Sequence, residues 1–163
     1  MIIVKKSGFL IFKDLKFRCA IGKNGIGNKK REGDLLTPKG TYRLTEVFYR
    51  PDRINTIKTK LKKKIIKKNM GWCDDSLSKF YNKPIILPNK VRHEKLYRRD
   101  NIYDIIVVLD FNINPIIKNK GSAIFIHLAK EKYQSTQGCI ALKKNNLLKL
   151  LSVVKNKNKI KIM

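Results

Sequence analysis

The sequence predicts a single, mainly β domain with peripheral helices, of the α+β class, and three observations carry that expectation. Short apolar runs rich in β-branched residues recur along the chain, as in IYDIIVVLDFN and SAIFIHLA, and runs of that length and make-up fit central strands. Only two stretches show the spacing of three and four that marks an amphipathic helix. No Ser- or Pro-rich linker and no internal repeat divides the 163 residues, a length that suits one compact domain, 1–163, with a real core.

Residues 1–21 alternate apolar and polar positions around a turn at Lys6 to Gly8, which predicts a two-stranded hairpin. Residues 22–40 hold Gly22, Gly25, Gly27, Gly33 and Gly40 and read as loop. The segment GTYRLTEVFYR resumes strand character, with Tyr42, Leu44 and Val47 as its buried face. From Pro51 onward, Ile54, Ile57, Leu61 and Ile65 recur at helical spacing with Lys opposite, predicting a basic amphipathic helix with Asp52 at its N-terminal end. That helix is expected to be structural, with a solvated Lys face.

An irregular stretch follows, GWCDDSLSKFYNKPIILPNKVRHEKLYRRD, dense in Trp, Tyr, Asp and Arg. Long irregular segments inside a compact domain are often functional. After the two central strands, NNLLKLLSVVK predicts a final helix that offers Leu147, Leu148, Leu151 and Val154 to the core, and the tail NKNKIKIM reads as a last edge strand.

With 38 Lys and Arg against 12 Asp and Glu, the formal charge is +26, so the expected partner is polyanionic. Nucleic acid, anionic lipid headgroups and an acidic wall polymer each meet that demand, while a purely compositional excess of Lys accounts for the charge equally well without a partner. Charge speaks to association and not to fold. No nucleic-acid-binding fingerprint is present, and aromatic residues do not interleave with the Lys runs as a stacking platform requires. The N-terminal segment has no unbroken apolar core of signal-peptide length, and no run reaches bilayer-spanning length, so the chain as given is expected to be soluble.

Cys19, Cys73 and Cys139 are far apart, with only His93 and His127 to join them, so neither a metal nor another cofactor is expected. Cys19 and Cys73 have no His nearby in sequence and read as structural. His93, in the charged stretch VRHEK, reads as solvent-facing.

Cys139 differs. The segment GSAIFIHLAKEKYQSTQGCIAL places His127 at the end of an apolar strand, then a short polar loop, then Gly138-Cys139 ahead of another apolar run. A thiol becomes a nucleophile when a nearby imidazole takes its proton, and a preceding Gly allows close approach of backbone and substrate. A His and a Cys on neighbouring strands are, by themselves, better explained as ordinary packed residues.

The wider context separates the two readings. Thr136-Gln137-Gly138-Cys139-Ile140, downstream of His127, resembles the Ser-x-Gly-Cys signature of the L,D-transpeptidase (YkuD) family, with Thr in the Ser position. Thr37-Pro38-Lys39-Gly40-Thr41-Tyr42 is similar to that family's TPxGxY/F turn and strand. EGD at 32–34, YRPDR at 49–53, GWCDD at 71–75, YN at 81–82 and GSAIF at 121–125 resemble landmarks of a single-domain branch.

The resemblance implies a β-sandwich or barrel-like catalytic domain in which Cys139 attacks a carbonyl of a peptidoglycan stem peptide and forms a thioester. His127 would act as base, and a backbone carbonyl would complete the triad. Backbone N–H groups at Gly138 and Cys139 are the expected oxyanion donors. Thr136 has three roles open to it: orienting His127, bonding substrate, or shaping the turn.

Many members of the family carry His where Gln137 stands and Arg where Ala141 stands, so any acceptor or substrate contact those side chains make is lost or replaced here. The irregular segment is the expected source of the replacement, with Trp72, Asp74, Asp75, Tyr81, Asn82, Arg98 and Arg99 as candidates for a lid, each with a surface ion pair or loop-fixing hydrogen bond as the alternative. Arg98 leads, because its planar fork suits a stem carboxylate. The resemblance further implies stem peptides as partners and, because that substrate requires it, a periplasmic or envelope location; the charge adds an anionic envelope surface as an expected partner, and a monomer is expected. Transfer to an amine and hydrolysis by water use the same residues and stay open, with a basic nucleic-acid-binding module as the competing class.

Overall fold

Strand formation dominates, as expected, and the computed structural model describes all residues, 1–163. The N-terminal hairpin turns at Gly8, whose N–H donates to Lys5 O at 3.0 Å, and is extended by one more strand. The three are β1 (Ile2–Lys5), β2 (Phe9–Phe12) and β3 (Leu15–Arg18). The glycine-rich region 22–40 holds only the paired two-residue strands β4 (Ile26–Gly27) and β5 (Thr37–Pro38). Next come the long β6 (Gly40–Tyr49) and β7 (Lys62–Ile65), then β8 (Met70–Cys73), β9 (Pro84–Ile86) and β10 (His93–Lys95). The central β11 (Ile105–Leu109) and β12 (Phe125–Leu128) lead to β13 (Ile140–Leu142), helix α1 (Lys144–Val153) and β14 (Lys159–Ile162).

The main sheet runs β13-β12-β11-β6-β14-β1-β2-β3. Its two ends meet beyond β3, where Ala20 and Ala141 exchange backbone hydrogen bonds of 2.9 Å in each direction, so the sheet closes into a barrel-like wall. That closure brings residues 20–22 against both sides of Cys139: Ala20 meets the strand that follows it, and Gly22 bridges to Thr136 in the turn that precedes it.

Three sequence expectations change. Residues 54–68 form no helix. Ile54, Ile57 and Leu61 are buried in the core as their spacing demanded, but from irregular chain, and Lys62–Ile65 pairs parallel with β6. Lys side chains four apart repel on a helix, whereas along β7 Lys64 reaches Glu46 at 2.8 Å and Lys62 reaches it at 4.0 Å. Asp52, expected at a helix end, instead pairs with Arg50 at 2.6 Å.

The tail is not an edge strand. β14 sits between β1 and β6, which accounts for the complete burial of Ile160 and near-complete burial of Ile162. In α1, Leu147, Leu150 and Leu151 face the core; Leu148 is only half-buried, and Val154 is buried just past the last turn.

Two apolar clusters flank the main sheet. β11 is buried on both faces, as its unbroken IIVVL implies: Ile105, Val107 and Leu109 enter the larger cluster, while Ile106 and Val108 enter a second one with Phe48, Ile66, Trp72, Leu96 and Tyr103. The same alternation on β12 sends Ile126 and Leu128 to the larger core and Phe125 to the second, and puts His127 on the Phe125 side. The small sheet β10-β8-β9 covers this second face. The irregular segment is therefore a second layer with its own short strands.

Candidate active site

A cleft of about 940 Å³ opens between the main sheet and this second layer. Its lining includes His127, Thr136, Gln137, Cys139 and Ala141 from the β12–β13 region, Glu94, Arg98 and Tyr103 from the facing layer, and Lys29 and Glu32 from the glycine-rich loop.

β12 and β13 run parallel with His127 opposite Ala141. Cys139 lies two residues before Ala141, so its side chain emerges on the same face as His127, one pleat repeat away along the strand. The Cys139 thiol donates to Ala123 O at 3.1 Å and accepts from Phe125 N–H at 3.3 Å. Desolvation, and secondarily the charge of Glu94, push it up to about 12, so the resting group is a neutral thiol.

His127 is buried, and its Nδ1 stands 2.9 Å from Leu128 O. A carbonyl only accepts, so the neutral ring carries its proton on Nδ1 and keeps the Nε2 lone pair free. Burial lowers its pKa to about 4 despite that hydrogen bond, so the ring is an unprotonated base at neutral pH. Tyr103 meets the imidazole edge-on with centroids 5.4 Å apart.

The turn ahead of the thiol is fixed by Thr136, whose Oγ1 donates to Cys139 O at 2.6 Å and accepts from Gly138 N–H at 3.1 Å. Thr37 Oγ1 accepts from Gly22 N–H at 2.7 Å and lies 3.5 Å from the same Cys139 carbonyl, so the Thr37-Pro38 motif reaches the turn directly. Gly138 has φ +137°, and a Cβ there would stand 2.8 Å from Leu36 O; no larger residue fits without moving the backbone. The Gly138 N–H is consumed by Thr136, whereas that of Cys139 is absent from the turn's internal hydrogen bonds.

Of the residues anticipated in the irregular segment, Arg98 and Asp74 line the cleft. Arg98 holds Asp100 through Nε at 2.9 Å and Nη2 at 2.6 Å, and its guanidinium lies over the Tyr103 ring at 5.3 Å. Asp74 pairs with Arg92 at 3.1 Å. Asp75 caps its own loop through Leu77 N–H, and Arg99 offers its carbonyl to Arg53.

Trp72, Tyr81 and Asn82 are not part of a lid; they are buried behind the cleft, Trp72 in the second apolar cluster and Tyr81 and Asn82 bonded to the adjoining loops. Asn82 Oδ1 accepts from Trp72 Nε1 at 3.0 Å and from Ala123 N–H at 3.0 Å, while its Nδ2 donates to Phe111 O and Asn112 O. Tyr81 accepts from Gly121 N–H at 2.9 Å and donates to Glu32 at 2.5 Å.

His93 is half-buried on the cleft wall instead of solvent-facing, with Nδ1 2.7 Å from Val91 O. Cys19 and Cys73 are buried free thiols.

Sequence reading missed Glu94 and Tyr103. The Tyr103 hydroxyl donates to Glu94, whose pKa is raised, foremost by burial. Only the juxtaposition of β10 with the start of β11 makes them a pair, and neither has a local motif. No group of His, Cys, Asp and Glu side chains is arranged to hold a metal ion.

A closed, mainly β wall carrying a buried imidazole and a cleft-facing thiol on neighbouring strands defines a domain of the thiol and imidazole class. The chain belongs to the YkuD family, the L,D-transpeptidase catalytic domain, whose family model matches residues 2–162.

Solved structures similar to it include L,D-transpeptidase 1 of Mycobacterium tuberculosis, at 10% identity and TM-score 0.46, covering 99% of this chain and 60% of that one. Another is an L,D-transpeptidase from Mycobacterium smegmatis, at 11% identity and TM-score 0.46, covering 99% and 57%. The chain thus spans about three-fifths of the length of these structures. No curated protein matches it.

Proposed function

We propose that the protein is a peptidoglycan L,D-transpeptidase that works through a Cys139 thioester. The observation that carries this reading is the buried His127, held by Leu128 O in the tautomer with a free Nε2, on the strand beside Cys139 in one cleft.

In acylation the thiol leaves Ala123 O and gives its proton to His127 Nε2, and Sγ attacks the stem-peptide carbonyl. The Cys139 N–H is the donor available to the developing oxyanion. The leaving amine takes the proton back from the imidazolium as its C–N bond breaks. The acceptor amine then attacks the thioester, His127 removes its proton, and the departing thiolate is reprotonated. The substrate lies outside the cytoplasmic membrane, so the envelope is the compartment this reading requires; no helix is long and apolar enough to cross a membrane.

Incubation with purified wall fragments, read by product mass, tests the proposal. Joined stems are expected, and a carbapenem should add its mass at Cys139. Loss of a terminal residue with uptake of water alone would assign hydrolysis instead. Full activity in Cys139→Ala would overturn the mechanism.

A further inference from the structure

Of the large apolar side chains exposed along the chain, Leu77, Phe80 and Ile117 come from two loops that are fastened together. Leu77 is 87% exposed, Ile117 49% and Phe80 40%. Lys118 Nζ donates to Leu77 O at 3.3 Å, and Gly121 N–H donates to Tyr81 at 2.9 Å, so residues 77–81 and 117–121 form one rim. Asn112 braces the second loop from within, accepting from Ile117 N–H at 2.8 Å and donating to Ile117 O at 2.9 Å. The apolar tips are therefore presented by hydrogen-bonded loops.

Their surroundings are cationic. Lys79, Lys118 and Lys120 lie within the same two loops and Lys83 just beyond the first; all four are exposed, and Asp75 at the base of the first loop is engaged by Leu77 N–H. Lys79 Nζ sits 5.3 Å from the centre of the Phe80 ring, so one side chain offers a charge beside an apolar face. Bulky apolar tips ringed by lysines on a chain of net charge +26 match one surface in particular, where acyl chains lie just beneath anionic headgroups. An acidic polysaccharide or a nucleic acid would satisfy the lysines and leave Leu77 in water.

We infer that this rim docks the protein on an anionic lipid bilayer, with Leu77, Phe80 and Ile117 entering the interface and the four lysines contacting headgroup phosphates. Ser76 and Asn119, the neighbours of Leu77 and Lys118, line the cleft, so docking sets the cleft mouth at the bilayer surface. The inference stands independently of the reaction proposed above.

Co-sedimentation of the full chain with phosphatidylglycerol-containing and pure phosphatidylcholine vesicles tests it. Binding is expected to the anionic vesicles only. Leu77→Asp with Ile117→Asp should weaken it by about tenfold or more, while Lys62→Gln with Lys63→Gln, on β7, should change it by less than about threefold. Leu77→Trp should show a blue-shifted emission on the same vesicles. No binding by the parent, equal losses in the two double variants, or an unshifted Leu77→Trp emission would each overturn the inference. So would selective loss of binding to isolated wall polymer with vesicle binding intact.

Discussion

The Cys139 thiol points its hydrogen at the carbonyl of Ala123, 3.1 Å away and sixteen positions earlier in the chain. Ala123 is in turn held through its N–H by Asn82 Oδ1, at 3.0 Å. The resting position of the Cys139 thiol is thus set by a side chain in the second layer, and this relay has measurable consequences.

Asn82→Ala should destabilise the protein by about 3 kcal/mol, because it strips Trp72 Nε1, Ala123 N–H and two carbonyls of their shared partner. Denaturant unfolding measures that loss. If Asn82 also positions the nucleophile, the alkylation rate of Cys139 in the still-folded variant will differ from the parent's; an unchanged rate would confine Asn82 to a packing role.

Glu94→Gln should ease ionisation of Cys139. The Glu94 charge is one of the two causes that raise the thiol, and glutamine keeps an acceptor for Tyr103 while removing that charge. Iodoacetamide alkylation at about pH 9 should accelerate several-fold. Slower alkylation would reverse the assigned sign.

His127 makes the fold sensitive to acid. Its folded pKa, about 4, lies below the unfolded value near 6.5, so between those limits the unfolded state binds more protons and stability rises with pH. Going down from pH 7, the protein should lose up to about 3 kcal/mol that a folded His127→Gln variant does not lose. Urea midpoints of the two proteins across that range check it. By the same shift, the acid limb of kcat/KM should fall near pH 4 to 5 and not near 6.5.

Thr136→Val should cost about 1 to 2 kcal/mol and lower acylation, since Oγ1 bonds both Cys139 O and Gly138 N–H. Thr136→Ser retains that oxygen and should restore both. Equal loss in the two variants would show that the two bonds of Oγ1 do not by themselves account for the effect.

The sequence by itself determined the chemistry-bearing segment. His127, Gly138 and Cys139 are joined by one strand, a short loop and a turn, so their relation is local enough to be written in GSAIFIHLAKEKYQSTQGCIAL. The apolar runs of β11 and β12 likewise announced strands, because burial on both faces leaves no polar alternation.

Residues 54–68 misled for a related reason: spacing records which side chains are buried, not which backbone buries them, and pairing with β6 outweighed a helix of repelling lysines. The Lys159–Ile162 tail became an interior strand because β1 and β6 both needed a partner, which no local pattern records. Trp72, Tyr81 and Asn82 were legible as important, yet tertiary structure set Tyr81 to hold Gly121, Asn82 to hold Ala123 and Trp72 to hold Asn82, instead of covering the cleft. Glu94 and Tyr103 became neighbours only when β10 packed beside the start of β11. Side chains brought together by layers leave no spacing to read, so the sequence singled out the thiol and imidazole of the proposed mechanism, and the fold decided what surrounds them.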